Sequence, residues 1–420
     1  MKPTLLCGLL AAAAVCAAPA TASAETISVL FVGNSYTFGR VDPVMSYNAA
    51  NVHDLTAAMW ATNPSGSNVF EPHPWGGVAG IFKQFTVQSG LDYDVSLSTR
   101  NAASLRGHFL NTNAAGWDLR GNIGAQTWSK VVLQEQSDES LPKQPGLASN
   151  PDWFRNYVDK IEDFAHNGAA HSYRERDFFA GATTAEQTAA CQAATGSSAT
   201  SCNTLRNIPA NSFAGAATQV YLYQTWARPN LVNGAFVTST DPITGAVTRT
   251  TTPATTFYNS LAGMTEDLRL AALAAAAQAA ADGTGGLAGI APVGESFQRA
   301  VSSGRATLDM WAPGAATDGL IDLWFDDGTH ASKYGSYLSA LTLFGTMTGI
   351  DPLALGAGEI AAADLGISPA DALTLQLIAS EQLGFTAPVP EPASAALLAA
   401  GLLLVAARAG RQRRGVAAAR

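Results

Sequence analysis

Two short blocks near opposite ends of the chain carry residue types that could share one reaction. The first, Gly33-Asn34-Ser35, breaks off an apolar run from Ile27 to Val32. A serine hydroxyl is a weak nucleophile unless a base takes its proton and an acceptor on the base's other nitrogen orients it. The second block, Asp327-Gly328-Thr329-His330, holds both groups. On a glycine-containing turn this spacing lets the Asp327 carboxylate accept from Nδ1 of His330 while Nε2 faces outward. Alone, Ser35 would read as a helix N-cap after a strand, and His330 as a loop histidine paired with a neighbouring acid. Together the three supply nucleophile, base and orienting carboxylate for acyl transfer. The other histidines offer less: His53 lies beside an expected amphipathic helix, His73 between prolines, and His166 and His171 flank a Gly-Ala-Ala turn, so surface or packing roles are expected for all four. His108 could line a pocket or sit on a helix start, and it stays outside the catalytic set.

The elements that must position these groups follow from the alternation of apolar β-rich runs with helical stretches. That pattern predicts an α/β fold, a mainly parallel sheet covered by helices on both faces. Five strands are expected, at Ile27 to Val32, Tyr93 to Leu97, Lys130 to Leu133, Gln219 to Tyr223 and Leu287 to Pro292. Helices are expected over Ala49 to Ala61, Val78 to Gln88, Trp153 to Ala165, Ser260 to Ala281 and Ser332 to Met347. Ligands of open α/β sheets bind beyond the carboxyl ends of the strands, which is where Ser35 falls. The Thr/Ser/Ala-rich stretch Gly181 to Ala210 reads as a stapled loop, and Val237 to Thr256 as a surface hairpin. No fixed-period repeat is present, which excludes solenoids and propellers.

These residues resemble the SGNH, or GDSL-like, hydrolases. The match is Gly33-Asn34-Ser35, with Asn at 34 where the family usually has Asp, and the late Asp327-Gly328-Thr329-His330 block; the resemblance spans most of residues 27–350. It implies a flavodoxin-like three-layer α/β/α sandwich with a five-stranded sheet and a nucleophilic Ser35 served by His330 and Asp327. It also implies an oxyanion hole built from the Ser35 N–H, a main-chain N–H after the second strand and an amide side chain after the third. In this chain those places fall to Ala102, where the family has Gly, and Gln136, where it has Asn; Gln134 is a rival donor. No metal or organic cofactor is implied. The partner implied is an ester substrate, with acetyl groups on carbohydrate as the leading class by analogy; the nearest rival reading of the function is an acyltransferase using the same triad. A protein that binds envelope polysaccharide without cleaving it is the reading from a different class.

The two ends read as addresses. Residues 1–24 carry Lys2, an Ala/Leu run and Ala22-Ser23-Ala24, the form of a cleaved secretory leader. Export would leave only Cys191 and Cys202, which are then expected to pair and stabilise the fold by about 2–3 kcal/mol on the entropic model. A two-cysteine metal site is the weaker reading, because no histidine stands at ligand spacing. Residues 389–420 hold Pro390-Glu391-Pro392, an uncharged run from Ala393 to Ala407 and a terminal arginine cluster. That order resembles the PEP-CTERM sorting signal, which implies an exosortase as processing partner and a Gram-negative envelope as destination. An uncharged helix of about 22 Å is short against a hydrocarbon core of about 30 Å, so a transient anchor fits better than a permanent membrane span. Between these ends the division expected is a hydrolase-like domain over 25–352 and a helical region and linker over 353–388. The whole chain of 420 residues is 47% hydrophobic and 14% charged with a net charge of −9. Such a composition excludes a disordered chain and argues against nucleic-acid partners.

Overall fold

The computed structural model describes residues 26–40, 42–58, 73–111, 117–234, 236, 238–240 and 246–385. The expected leader over 1–24 and the sorting segment with Pro390, Glu391 and Pro392 lie outside them. Among the described residues no helix is long and apolar enough to cross a membrane.

Among the described residues, ten strands follow one another. They are β1 (Ile27–Gly33), β2 (His53–Asp54), β3 (Tyr93–Thr99), β4 (Lys130–Gln134), β5 (His171–Arg174), β6 (Leu205–Ile208), β7 (Gln219–Tyr223), β8 (Thr238–Thr240), β9 (Val247–Arg249) and β10 (Gly289–Ala291). Six of them form one sheet in the order β10-β7-β4-β1-β3-β2, and every pairing in it is parallel. The five strands expected from sequence thus take the flavodoxin order, with the first strand between the second and third. The sheet has one strand more than expected, because the short β2 extends its edge beside β3.

Alternation along each strand divides the core in two. Val29 and Phe31 of β1, Val132 of β4 and Tyr221 of β7 face one cluster, which also takes in helices Gly77–Gln88, Val293–Ser302 and Lys333–Thr348. Leu30 and Val32, Val131 and Leu133, and Val220 and Leu222 face the other, against helices Pro151–His166 and Leu261–Ala279. A parallel sheet buried on both sides needs such unbroken apolar strands, and the result is a three-layer α/β/α sandwich. Helices Ile360–Asp364 and Pro369–Gln382 pack Ala361, Leu375 and Ile378 into the first cluster.

Two expectations are corrected. No helix runs from Ala49; a single 3-10 turn, Ala49–Asn51, gives way to β2. Asp54 explains the change, because its carboxylate accepts from the backbone of Thr56 and Trp75 and so holds the chain in a turn instead of a helix. The stretch 181–210 is not a loop but two helices, Thr184–Thr195 and Ala199–Asn203, followed by β6, which pairs antiparallel with β5. Thr183 and Glu186 form a capping box and Gly196 closes the first helix in the left-handed region. Cys191 and Cys202 are joined by a disulfide between those helices. The hairpin at 237–256 is present as the antiparallel pair β8 and β9, and its turn lies outside the described residues.

Candidate active site

Parallel register brings the carboxyl ends of the central strands to one rim. Gly33 of β1 stands beside Thr99 of β3, and Gln134 of β4 beside Tyr223 of β7. Ser35 opens a one-turn helix, Ser35–Phe38, directly beyond that rim. Asn34 caps it by accepting from the Tyr36 N–H at 3.1 Å, and the Asn34 amide donates to the Ala103 carbonyl at 3.0 Å. The turn sits so close to β4 that a Cβ at Gly33 would stand 2.3 Å from Oγ1 of Thr37 and 2.4 Å from Oε1 of Gln134. A side chain there would have to push the Thr37 hydroxyl and the Gln134 amide aside.

Across the rim, Oγ of Ser35 lies 2.9 Å from Nε2 of His330. Nδ1 of His330 lies 2.6 Å from Oδ2 of Asp327, and Oδ1 of Asp327 accepts the N–H groups of Thr329 and His330, both at 2.9 Å. Burial alone would raise the Asp327 carboxyl. The hydrogen bond and charge of His330, with the two backbone donors, outweigh that effect and hold it below the ordinary carboxylate range. The turn requires Gly328 at φ +63°, where a Cβ would meet the Trp311 ring at 2.3 Å. Tyr36 and Trp226 brace the same turn from below: both donate to the Thr329 carbonyl, at 2.7 and 3.0 Å, and their rings stack at 4.1 Å.

Ser35, Ala102, Gln136 and His330 line one cavity of about 210 Å³ together with Asn101, Arg40 and Arg228. Ala102 adopts φ +54°, the left-handed conformation that glycine takes most easily, so the loop keeps that shape with a methyl group on it. Oε1 of Gln136 accepts the N–H groups of Asp138 and Glu139 at 3.1 and 3.2 Å, so its NH2 end is the donor, and that end donates to Ser137 Oγ at 3.4 Å. Gln134 is not a rival for this role. It is fully buried, its Oε1 accepts from the Asn34 N–H and Thr37 Oγ1, each at 2.9 Å, and its Nε2 donates to the Glu135 carbonyl.

The remaining histidines lie outside the cavity. His108 is buried on helix Leu105–Leu110, where desolvation and nearby Arg100 push it down to about 3. His53 is exposed. His73 stacks on Trp75 and pairs with Asp54. Nδ1 of His166 pairs with Glu162, and His171 lies at a sheet edge on β5. Asp159, Glu162 and Asp282 gather carboxylate oxygens within 4.8 Å of one another; Lys160 lies 3.1 Å from Asp159, and Glu162 already bonds His166.

Sequence reasoning passed over Arg228. Its guanidinium donates to Ser137 Oγ at 2.9 Å, Thr329 Oγ1 at 3.3 Å and Asn230 Oδ1 at 3.2 Å, with Asp138 3.4 Å away, so it ties the Gln136 loop to the His330 turn. The one signal available was its place just beyond the Gln219 to Tyr223 strand.

No protein-family profile and no curated protein matches the chain. Solved structures of similar shape include a DUF4886 family protein from Bacteroides uniformis, 13% identical with a TM-score of 0.41 over 86% of this chain and 95% of that one. A candidate SGNH hydrolase from Slackia heliotrinireducens is 17% identical at a TM-score of 0.34, over 77% of this chain and 100% of that one. A candidate GDSL-like lipase from Parabacteroides merdae is 12% identical at 0.36, over 77% and 96%. At that distance they add nothing to what the site's own geometry says.

Proposed function

We propose that the protein is a serine esterase of the SGNH type. The observation that carries this is the continuous chain of hydrogen-bond contacts from Ser35 Oγ through His330 to Asp327 at the mouth of a cavity. Nε2 of His330 takes the Ser35 proton as Oγ attacks an ester carbonyl, and Asp327 holds the ring and balances the imidazolium. The N–H groups of Ser35 and Ala102 and the amide of Gln136 receive the oxyanion. His330 then protonates the leaving alcohol, and water resolves the acyl-enzyme by the same route.

The cavity before Ser35 holds about 210 Å³. Acetyl esters of carbohydrate are the substrate class proposed. Export and exosortase processing are proposed with it, on the composition of residues 1–24 and 389–420. The test is Ser35→Ala assayed on nitrophenyl acetate and acetylated sugars, with fluorophosphonate labelling of the unaltered protein. Loss of turnover in a variant that still unfolds cooperatively is expected. Undiminished turnover in Ser35→Ala would sink the assignment.

A further inference from the structure

The two loops that carry Ala102 and Gln136 meet on a single side chain. Glu135 follows β4 directly and is buried, 3% exposed. Its Oε1 accepts the Leu105 N–H at 2.9 Å, at the end of the Ala102 loop, and the Gln136 N–H at 2.6 Å. The Ala102 loop is fastened on its other side as well, because the Asn34 amide donates to the Ala103 carbonyl at 3.0 Å. One anchor therefore sits on the residue before Ser35 and the other on the residue before Gln136. Glu135 does not itself line the Ser35 cavity, so whatever it does there it does through these loops.

Oxyanion donors help only when they are aimed, and a misplacement of about 1 Å can cost about 10²-fold in rate. Burial, and then nearby Glu139, raise the Glu135 carboxyl well above the ordinary carboxylate range, although the two N–H donors pull it down. The neutral form that burial favours accepts both N–H groups without setting a full negative charge behind the developing oxyanion. We propose that Glu135 is the positioning residue of the oxyanion hole: one of its oxygens fixes the Ala102 loop against the Gln136 loop, so that both donors converge on one point in front of Ser35. This rests on the esterase reading of Ser35. It adds to that reading the group that aligns the donors.

Two substitutions in the full chain test it, assayed on nitrophenyl acetate. Glu135→Asp keeps the carboxyl but is one methylene too short to meet both N–H groups, whereas Glu135→Gln keeps a neutral carbonyl oxygen at the original reach. In Glu135→Asp, kcat is expected to fall by about 10- to 100-fold with KM unchanged, the pattern of an interaction made only in the transition state. Glu135→Gln should recover most of that rate. The loss should also depend on the donors: in a Gln136→Ala background, itself slower, Glu135→Asp should cost severalfold less than in the parent. A purely structural role would lower the denaturation midpoint and leave kcat of the folded variant alone. If Glu135→Asp does not unfold cooperatively, Glu135→Met, which has no acceptor, takes its place. An unchanged kcat in Glu135→Asp, a Glu135→Gln variant just as slow, or an equal loss in both backgrounds overturns the proposal. Fluorophosphonate labelling separates the two readings. Labelled Ser35 with a kcat indifferent to residue 135 defeats this proposal alone, whereas a parent protein that neither labels nor turns over defeats the esterase reading and this one with it.

Discussion

The side-chain carbonyl of Gln134 accepts the backbone N–H of Asn34 at 2.9 Å, so the turn that presents Ser35 is fastened to the neighbouring strand and not only to its own. The same oxygen accepts Thr37 Oγ1 at 2.9 Å. One buried amide therefore sets both the position and the pitch of the nucleophile's helix.

Replacing that amide by an apolar side chain of similar length isolates its role. Gln134→Met leaves the Asn34 N–H and the Thr37 hydroxyl buried without their acceptor, and each such loss costs about 1–3 kcal/mol. A destabilisation of about 3 kcal/mol is expected in urea denaturation, together with slower fluorophosphonate labelling of Ser35. An unchanged midpoint would mean that the turn is held by Asn34 capping alone.

Asp327 acts through His330, and its effect should divide between rate and acid stability. Asp327→Asn keeps the shape but removes the charge and the acceptor that fix the tautomer, so kcat is expected to fall by up to about 10⁴-fold. The carboxyl titrates lower in the folded protein than in the unfolded chain. Its contribution is therefore present at neutral pH and is lost as pH falls through the folded value. Below that point the variant and the parent should converge in stability, which a pH series of denaturation midpoints can check.

What the sequence made visible, and what it hid, follows from how each feature is encoded. Ser35, Asp327 and His330 were visible because a strand end and a three-residue spacing are local patterns that a fold can only confirm in space. The long strands were visible through their apolar runs. Strand β2 was hidden because His53 and Asp54 have no period to detect, and only the carboxylate bonds of Asp54 turn the chain there. The helices around Cys191 and Cys202 were hidden by a Thr/Ser/Ala composition that resembles a loop, although the Thr183 and Glu186 caps lay in plain view. Tyr36 and Trp226 carried no signal of their roles, and Arg228 only its place just beyond a strand. Their roles exist only where the Thr329 carbonyl and the Ser137 hydroxyl come together.

In the Gln136 loop, Glu139 makes the fold lose stability as pH rises toward neutral. Burial, and then the neighbouring Asp138, push its carboxyl up to about 7 against the opposing pull of Arg106 and Lys143. Glu135, fully buried beside it, is raised well above the ordinary carboxylate range by desolvation and by Glu139. A carboxyl that holds its proton more tightly when folded makes stability fall as pH rises from the unfolded value toward the folded one. Between about pH 4.5 and 7 the parent protein should lose stability through this group. Glu139→Gln should flatten that slope and be the more stable form at pH 8. If the two slopes coincide, Glu139 is solvated in solution and does not strain the fold.

Ala102 offers the sharpest check on the oxyanion hole, because its conformation and its side chain make opposite demands. At φ +54° a methyl group costs about 1–2 kcal/mol relative to glycine, while glycine's freer unfolded chain takes back about 0.5–1 kcal/mol. Ala102→Gly should therefore gain up to about 1 kcal/mol, read as a higher denaturation midpoint. The N–H stays where it was, so kcat on nitrophenyl acetate should hold, and KM for a bulkier sugar ester should fall as the methyl leaves the cavity wall. A drop in kcat alongside the gain in stability would mean that the methyl group fixes the direction of the N–H, and that the donor loses its aim once the loop is free to move.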